Sequence, residues 1–412
     1  MKICILTVIF PKLSETFISN NIFSLINMGA NLELWYEIDQ LTELKHPNIK
    51  PIQKYANKLP SKLLSYRFIF ELSSKFRYFI ILKPAGLSKS MFFLLKHFNK
   101  INIQIFLRSV WLASHLSNDQ HLVIYAHDSR TTSIMGIFLK FLLSKPLIIS
   151  IYTYNLFAEP YLLSEKLKYA DQILFQSAYS KSYALNVSSS NLQFKNKLSV
   201  IPTPGVDLSI FKKKNKYTKQ NYQLVISTVA RLESSKNIAD TLRAVKILLK
   251  SHSVIFNIVG SGSQEKALKQ QAKLLNIESS VVFHGEIPHG DRLCKIYQQT
   301  DIFILCPVID QSGDRDMQPN VIKEAMATGT IVLTSKMGGI TELISHKYNG
   351  FLTNTPTARS IVYWTKYILN LSSPEKKSVA MHAFQTIRDK HSNTDVMKHT
   401  YKSLLQYAKT KC

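Results

Sequence analysis

Residues 313–342, GDRDMQPNVIKEAMATGTIVLTSKMGGITE, decide the fold. The stretch opens on an acidic loop, Asp314-Arg315-Asp316. Pro319 has the fixed backbone angle of a helix's first turn, where its missing N–H is not needed. Val321, Ile322, Ala325 and Met326 then form an apolar stripe at helical spacing. Gly329 stands where such a helix stops. Residues 330–334, TIVLT, read as a buried strand, and Gly338-Gly339 as a tight turn into a second helix near Thr341. Loop, helix, strand, turn and helix in that order make the unit of a parallel α/β sheet.

Two carboxylates bracket the helix start, Asp316 in the loop and Glu324 on the helix. A helix N-terminus presents unpaired N–H groups and partial positive charge, so those of Asn320 and Val321 can hold a phosphate. Glu324 lies roughly 7.5 Å along the axis at ~1.5 Å per residue, about the reach from a diphosphate to its ribose. A carboxylate there can accept two hydrogen bonds from a ribose diol, while Asp316 can reach the hydroxyls of a sugar at the far end of the diphosphate. The spacing suits a nucleotide-sugar. Physics alone equally allows a capped core helix with a solvated glutamate.

This stretch resembles the acid-x7-acid motif of the retaining glycosyltransferases of family 4, which have the GT-B fold. The residues that carry the resemblance are Asp316, Pro319, Asn320, Glu324, Ala325, Met326, Ala327 and Gly329, then Gly338, Gly339 and Glu342. Met317-Gln318 replaces the family's usual Gly plus a hydrophobic residue. The resemblance implies two doubly wound, Rossmann-like α/β domains facing a central cleft. It places an acceptor-side domain at 1–203 and a nucleotide-sugar domain at 204–385, with a C-terminal helix at 386–412 packing back onto the first domain.

Composition bounds the rest. At 412 residues, 45% hydrophobic, the chain can fill two sizeable cores. A formal charge of +25 points to an anionic partner: a phosphate-bearing substrate, anionic lipid or nucleic acid. No helix-turn-helix, zinc-finger or RNP-like pattern supports nucleic acid. Cys4, Cys294, Cys306 and Cys412 form no CxxC or Cys/His cluster, so neither a zinc site nor a disulfide framework is expected. Cys306 reads as a packing residue. The N-terminal apolar run lacks a small-residue cleavage site and reads as a first strand rather than a signal peptide. Apolar runs near 78–95 and 134–152 are broken by Lys and Pro, so no membrane span is expected. The composition suggests an AT-rich bacterial genome, and the expected place is the cytoplasm.

Residues 2–9, a loop, a helix closed by Gly29 and a strand at 31–37 give the doubly wound opening, with ligands expected at the first loop. FPKLSETFI in that loop resembles the start of capsule and exopolysaccharide glycosyltransferases of the colanic-acid type. Ser14 and Thr16 there are candidates to contact a phosphate or the acceptor; N-capping is the plainer role. Between Lys45 and Arg108 the only acid is Glu71, against thirteen Lys and Arg interleaved with aromatics. Such a stretch suits an anionic membrane surface or a lipid-linked acceptor, at the inner face of the cytoplasmic membrane; solvated lysines on ordinary helices are the plainer reading.

A strand at 122–125 leads to His127, and Tyr152 ends another at 147–152. Relatives carry a His at the position of Tyr152. Either Tyr152 takes over its hydrogen bonding, or His127 supplies the imidazole, or catalysis is weakened. The segment 202–207, PTPGVD, matches the family's interdomain segment. In the second domain Arg231 and Lys236 match the family's diphosphate-binding cations; a guanidinium fork and a point charge can neutralise the leaving nucleoside diphosphate without a metal. Gly260 lies in a turn that shapes the cleft, and relatives read the base through backbone groups near Phe283.

The resemblance therefore implies retaining transfer of a sugar from a nucleoside-diphosphate-sugar to a surface polysaccharide or lipopolysaccharide precursor. Glu324 would hold the ribose, Asp316 the sugar, and Arg231 and Lys236 the diphosphate, with no metal or other cofactor. Another class of reading is a non-catalytic glycan- or membrane-binding subunit of a synthesis complex. A sugar-nucleotide epimerase is a third, against which the acid-x7-acid pattern argues.

Overall fold

The computed structural model describes the chain except residues 12–15, 40–48, 64, 128–129, 189–193, 203, 214–222, 312, 314 and 410–412. The fold divides into two compact units. The first comprises residues 1–176, 181–201 and the C-terminal segment from Met397; the second comprises 177–180 and 202–396.

The first unit holds seven strands: β1 (Lys2–Ile9), β2 (Asn31–Ile38), β3 (Ala56–Lys58), β4 (Leu122–His127), β5 (Leu147–Ile151), β6 (Gln172–Phe175) and β7 (Leu198–Val200). They form one sheet in the order β3-β2-β1-β4-β5-β6-β7, every pair parallel. The order reverses beside β1, which pairs with both β2 and β4: Cys4 faces Glu33 on one side and Ile124 on the other. All residues of β4 and β5 are buried. Their near-continuous apolar runs are what parallel strands covered on both faces require.

The second unit repeats the plan with β8 (Leu224–Val229), β9 (Val254–Val259), β10 (Val281–Phe283), β11 (Ile302–Leu305), β12 (Ile331–Ser335) and β13 (Phe351–Thr353). The order β10-β9-β8-β11-β12-β13 reverses between β8 and β11. Successive side chains of a strand point to opposite faces, and β11 shows it: Ile302 and Ile304 join one core while Phe303 and Leu305 join the other. In such sheets ligands gather beyond the carboxyl ends of the strands at the reversal.

Most strands lie where their apolar runs place them. The short edge strand β3, sequence ANK, has neither alternation nor β-branched residues and carries no such signal. The basic stretch folds into helices Tyr66–Leu82, Pro84–Lys96 and Lys100–Leu116, the first capped by Ser65 and the last by Asn99. Among the described residues no single helix is long and apolar enough to cross a membrane. The helix after Pro319 begins one residue later than its proline suggests, at Asn320, because Pro319 keeps an extended ψ of 129° and serves as the cap residue.

That helix, Asn320–Ala327, carries a fully buried lysine. Lys323 donates from Nζ to the carbonyls of Pro204 (2.9 Å) and Pro202 (3.3 Å) in the connecting segment. Burial disfavours its charge and lowers its pKa to about 7, although the Glu324 carboxylate opposes the shift. The unfolded chain therefore holds this proton more tightly than the folded one between about pH 7 and the ordinary lysine value of 10.5. Over that window the lysine's contribution to stability rises with pH. Lys323→Met should lose about 1–3 kcal/mol, because two carbonyls lose their donor. Denaturant melts at pH 7 and pH 10 should show the wild type gaining stability relative to this variant at the higher pH. Parallel pH profiles for the two proteins would refute the assignment.

Candidate nucleotide-sugar site

The second unit gathers its polar groups at the ends of β8, β9 and β11. After β8 the chain turns through Arg231-Leu232-Glu233 into a short 3-10 turn, Ser234–Lys236. The turn after β9 packs directly on it: a Cβ at Gly260, whose φ is +129°, would come within 1.9 Å of the Ala230 carbonyl oxygen. Gly260 is thus required by close approach of two loops.

Lys236 is largely buried, and its Nζ lies 2.7 Å from each oxygen of Asp316. The expectation that Lys236 serves the diphosphate and Asp316 the sugar separates two side chains that the fold joins as an ion pair. Arg231 is exposed and has no ion-pair or hydrogen-bond partner among the described residues. Its charge helps keep the nearby Glu233 below the usual carboxylate range, behind the larger effect of the Ser263 hydroxyl bonded to that carboxylate.

Glu324 is nearly buried on its helix. Its Oε2 accepts a 2.8 Å hydrogen bond from the Tyr297 hydroxyl, and its Oε1 lies 3.5 Å from Nε2 of His289. Burial, then the Glu324 charge, hold the Tyr297 phenol well above its ordinary pKa, so it stays a donor. For His289, burial disfavours the charged ring, but the hydrogen bond and charge of Glu324, with the charge of Asp207 added, more than offset it and raise the pKa. The ring of Phe211 meets His289 edge-on at 4.7 Å. Glu324 is therefore not a solvated surface glutamate.

His289 and Tyr297 were not readable as site residues. Tyr297 falls in the apolar stripe of the helix Asp291–Gln299 with Leu293 and Cys294, where it reads as core. His289 sits in a loop, Ile287-Pro288-His289-Gly290, that matches no motif. At the start of the Asn320–Ala327 helix, Gln318 Oε1 and Asn320 Oδ1 are buried without a hydrogen-bond partner among the described residues. Such acceptors suit a donor-rich ligand such as a sugar. Val321 follows Asn320 in the first turn. Met317 is buried under Gly338, where a Cβ would stand 2.8 Å from the Met317 methyl carbon. The departure at Met317-Gln318 thus fills space beneath a turn. The partly buried Phe283 side chain packs against the core, with Lys269 Nζ 5.5 Å from its ring centroid. Cys306 is buried, and its thiol pKa is pushed up by burial, as a packing residue's would be.

In the first unit His127 and Tyr152, read as alternatives, form one pair. Nδ1 of His127 lies 2.8 Å from the Tyr152 hydroxyl, and the rings are 11° from parallel. Burial lowers the His127 pKa to about 4, so the ring is neutral near pH 7, and its Nε2 is buried with no partner. Ser14 lies outside the described residues; Thr16 heads the helix Thr16–Asn27, and its side chain is likewise outside the description.

Comparison with known proteins gives these features a context. Residues 209–383 match the model of the glycosyl transferases group 1 family. An uncharacterized glycosyltransferase of Methanocaldococcus jannaschii is 27% identical over 69% of this chain and 75% of its own length. An Escherichia coli K12 protein assigned to colanic acid biosynthesis as a glycosyltransferase is 28% identical over 44% of this chain. The chain spans only 45% of that relative's length. Among solved structures, an Anabaena protein crystallised with UDP and glucose superposes with a TM-score of 0.70 at 15% identity, over 98% of this chain and all of that one. The chain has the GT-B fold, and residues 209–383 within its second unit are similar to the group 1 glycosyl transferases.

Proposed function

We propose that the protein is a retaining glycosyltransferase of the family 4 type. It would move a sugar from a nucleoside-diphosphate-sugar to a lipid-linked or glycan precursor of a bacterial surface polysaccharide, capsule or lipopolysaccharide. The observation that carries the reading is the second unit's grouping of an arginine without a side-chain partner among the described residues, the Lys236–Asp316 ion pair and a carboxylate, Glu324, hydrogen-bonded by Tyr297. The diphosphate takes Arg231 and draws Lys236 away from Asp316. Asp316, so released, accepts from sugar hydroxyls. Glu324, its orientation set by Tyr297, accepts from the ribose, and the N–H groups of Asn320 and Val321 support the phosphate. Fixed cations placed where the leaving group gains charge supply the stabilisation a metal would otherwise give. The acceptor attacks from the leaving-group side, with a phosphate oxygen taking its proton.

The first unit supports a peripheral place at the inner face of the cytoplasmic membrane. Eleven of the twenty-two exposed large hydrophobics among the described residues lie between Tyr66 and Ile101. The one acid of that stretch, Glu71, is already bound by Lys75 and by Trp111. An apolar surface set among Lys and Arg in large excess over acids suits an anionic bilayer.

Calorimetry with UDP, GDP and ADP should find one nucleotide that binds whether or not EDTA is present, and UDP, seen in the Anabaena neighbour, is the first to try. Arg231→Ala should weaken that binding about 10- to 100-fold, since a charge-assisted hydrogen bond contributes about 1.5–3 kcal/mol. No binding by any of the three would favour the non-catalytic subunit instead.

Asp316→Asn separates the two roles of the ion pair. Nucleotide affinity should hold or tighten, because Lys236 no longer has a carboxylate to leave, while sugar transfer or donor hydrolysis falls by about 100-fold. Loss of nucleotide binding in this variant would remove the exchange from the mechanism.

A further inference from the structure

Two rings meet the Glu324 carboxylate, one at each oxygen. Tyr297 donates to Oε2 at 2.8 Å, and Nε2 of His289 faces Oε1 at 3.5 Å. Both rings come from one element: Tyr297 lies on the helix Asp291–Gln299, and His289 immediately precedes its cap residue, Gly290. The fully buried Phe211 meets both edge-on, His289 at 4.7 Å and Tyr297 at 5.9 Å. The two rings are thus wedged together, and each addresses a different carboxylate oxygen.

Charge favours a donor at Oε1. The carboxylates that act on the His289 ring are Glu324, from the helix Asn320–Ala327, and Asp207, from the segment after Pro204. Asp207 is itself fixed, accepting from the N–H and the hydroxyl of Ser209 at 2.9 and 2.6 Å. Burial opposes the charged ring, but the two carboxylates outweigh it and raise the pKa above the ordinary 6.5. The third titratable neighbour, the Tyr297 phenol, keeps its proton.

An ionised carboxylate offers about four acceptor sites. Tyr297 fills one on Oε2, and the His289 ring lies toward one on Oε1. One site then remains on each oxygen. A ribose presents two adjacent hydroxyls and can fill both. A 2′-deoxyribose has only one of the two, and would leave an acceptor of a nearly buried carboxylate unmet.

We propose that His289 is a positioning residue that, with Tyr297, makes Glu324 a selector for ribonucleotides, leaving one acceptor site on each oxygen for the two hydroxyls of a ribose. This rests on the transferase reading, in which Glu324 takes the ribose, and adds what holds that carboxylate in register. His289 acts through Glu324 and not on the ligand.

The test is calorimetry on the full chain with UDP and with 2′-deoxy-UDP, or with the corresponding pair if GDP or ADP is the nucleotide bound. The two ligands share base and diphosphate, so the ratio of their affinities isolates the contact at the sugar, including any titration of the phosphate. The wild type should prefer the ribonucleotide by about 10- to 100-fold, the effect of one hydrogen bond to a charged group. His289→Ala should lose most of that preference, weakening UDP more than 2′-deoxy-UDP. His289→Gln, whose amide N–H also donates, should retain it. In the wild type the preference should be greatest below pH 6.5, where the ring is charged, and should fall as pH rises through its raised pKa. The reason is that a charge-assisted hydrogen bond is about twice as strong as a neutral one. In His289→Gln the preference should not change with pH. An equal preference in wild type and a folded His289→Ala would overturn the proposal. If His289→Ala does not fold, the pH profiles decide: a fall with pH that persists in His289→Gln overturns it equally. Failure of the wild type to bind UDP, GDP or ADP would instead overturn the transferase reading, and this proposal with it.

Discussion

A helix of eight residues, Asn320–Ala327, buries a lysine and a glutamate at adjacent positions, and the second unit is built around that constraint. Isolated charges do not enter a protein interior unless each is met by a partner. Adjacent helical residues point about 100° apart, so Lys323 and Glu324 cannot share one set of partners. Lys323 reaches the carbonyls of the 202–204 segment, and Glu324 reaches Tyr297 and His289. The helix is thereby fixed in rotation about its axis. Everything presented at its N-terminus inherits that orientation, including the N–H groups of Asn320 and Val321.

The same logic explains why the loops around it are tight. The turns after β8 and β9 touch backbone to backbone at Gly260, and Gly338 leaves room for Met317. Contacts of this kind fix carbonyls and N–H groups without spending side chains. The side chains left over at the strand ends, Arg231 above all, can then be committed to a ligand. A buried ion pair such as Lys236–Asp316 contributes little net stability, because desolvation of two charges offsets most of their attraction. In the proposed reaction its value would lie in exchange: a phosphate and a sugar hydroxyl would replace each partner for the other without leaving a bare charge.

How far this was legible in the sequence follows from the kind of signal each feature leaves. Parallel strands covered on both faces leave apolar runs, and β1, β4, β5, β9, β11 and β12 were readable for that reason. Asp316, Glu324, Arg231 and Lys236 stood at spacings that resemble a known motif. The Lys236–Asp316 pairing was not readable, because the two are eighty residues apart and only the sheet order brings the ends of β8 and β11 side by side. Tyr297 was hidden by its own packing, since a helical stripe gives no sign that one ring carries a hydroxyl on a carboxylate. His289 had neither period nor motif. Lys323 illustrates the converse. A lysine between an apolar residue and a glutamate reads as a surface charge, and only the carbonyls of a remote segment make its burial possible.

The pair His127–Tyr152 shows what burial does to an imidazole beside a phenol. A histidine at the end of β5 would titrate near neutrality if it stayed wet. Here the phenol stands at that strand end and the imidazole on the neighbouring strand, and burial keeps the ring neutral. The two ring atoms that meet, Nδ1 and the hydroxyl, satisfy one another, so the polar atom left over is Nε2. Which proton it carries depends on which partner donates. If the phenol donates to Nδ1, Nε2 bears hydrogen and offers a neutral donor; if Nδ1 donates, Nε2 is an acceptor. A phenol is the more acidic of the two neutral donors and imidazole nitrogen the better acceptor, so the first arrangement is favoured. A neutral N–H at a strand's carboxyl end can support an oxygen that gains charge without itself adding a proton to the reaction. That is a different contribution from the imidazolium a solvated histidine would make.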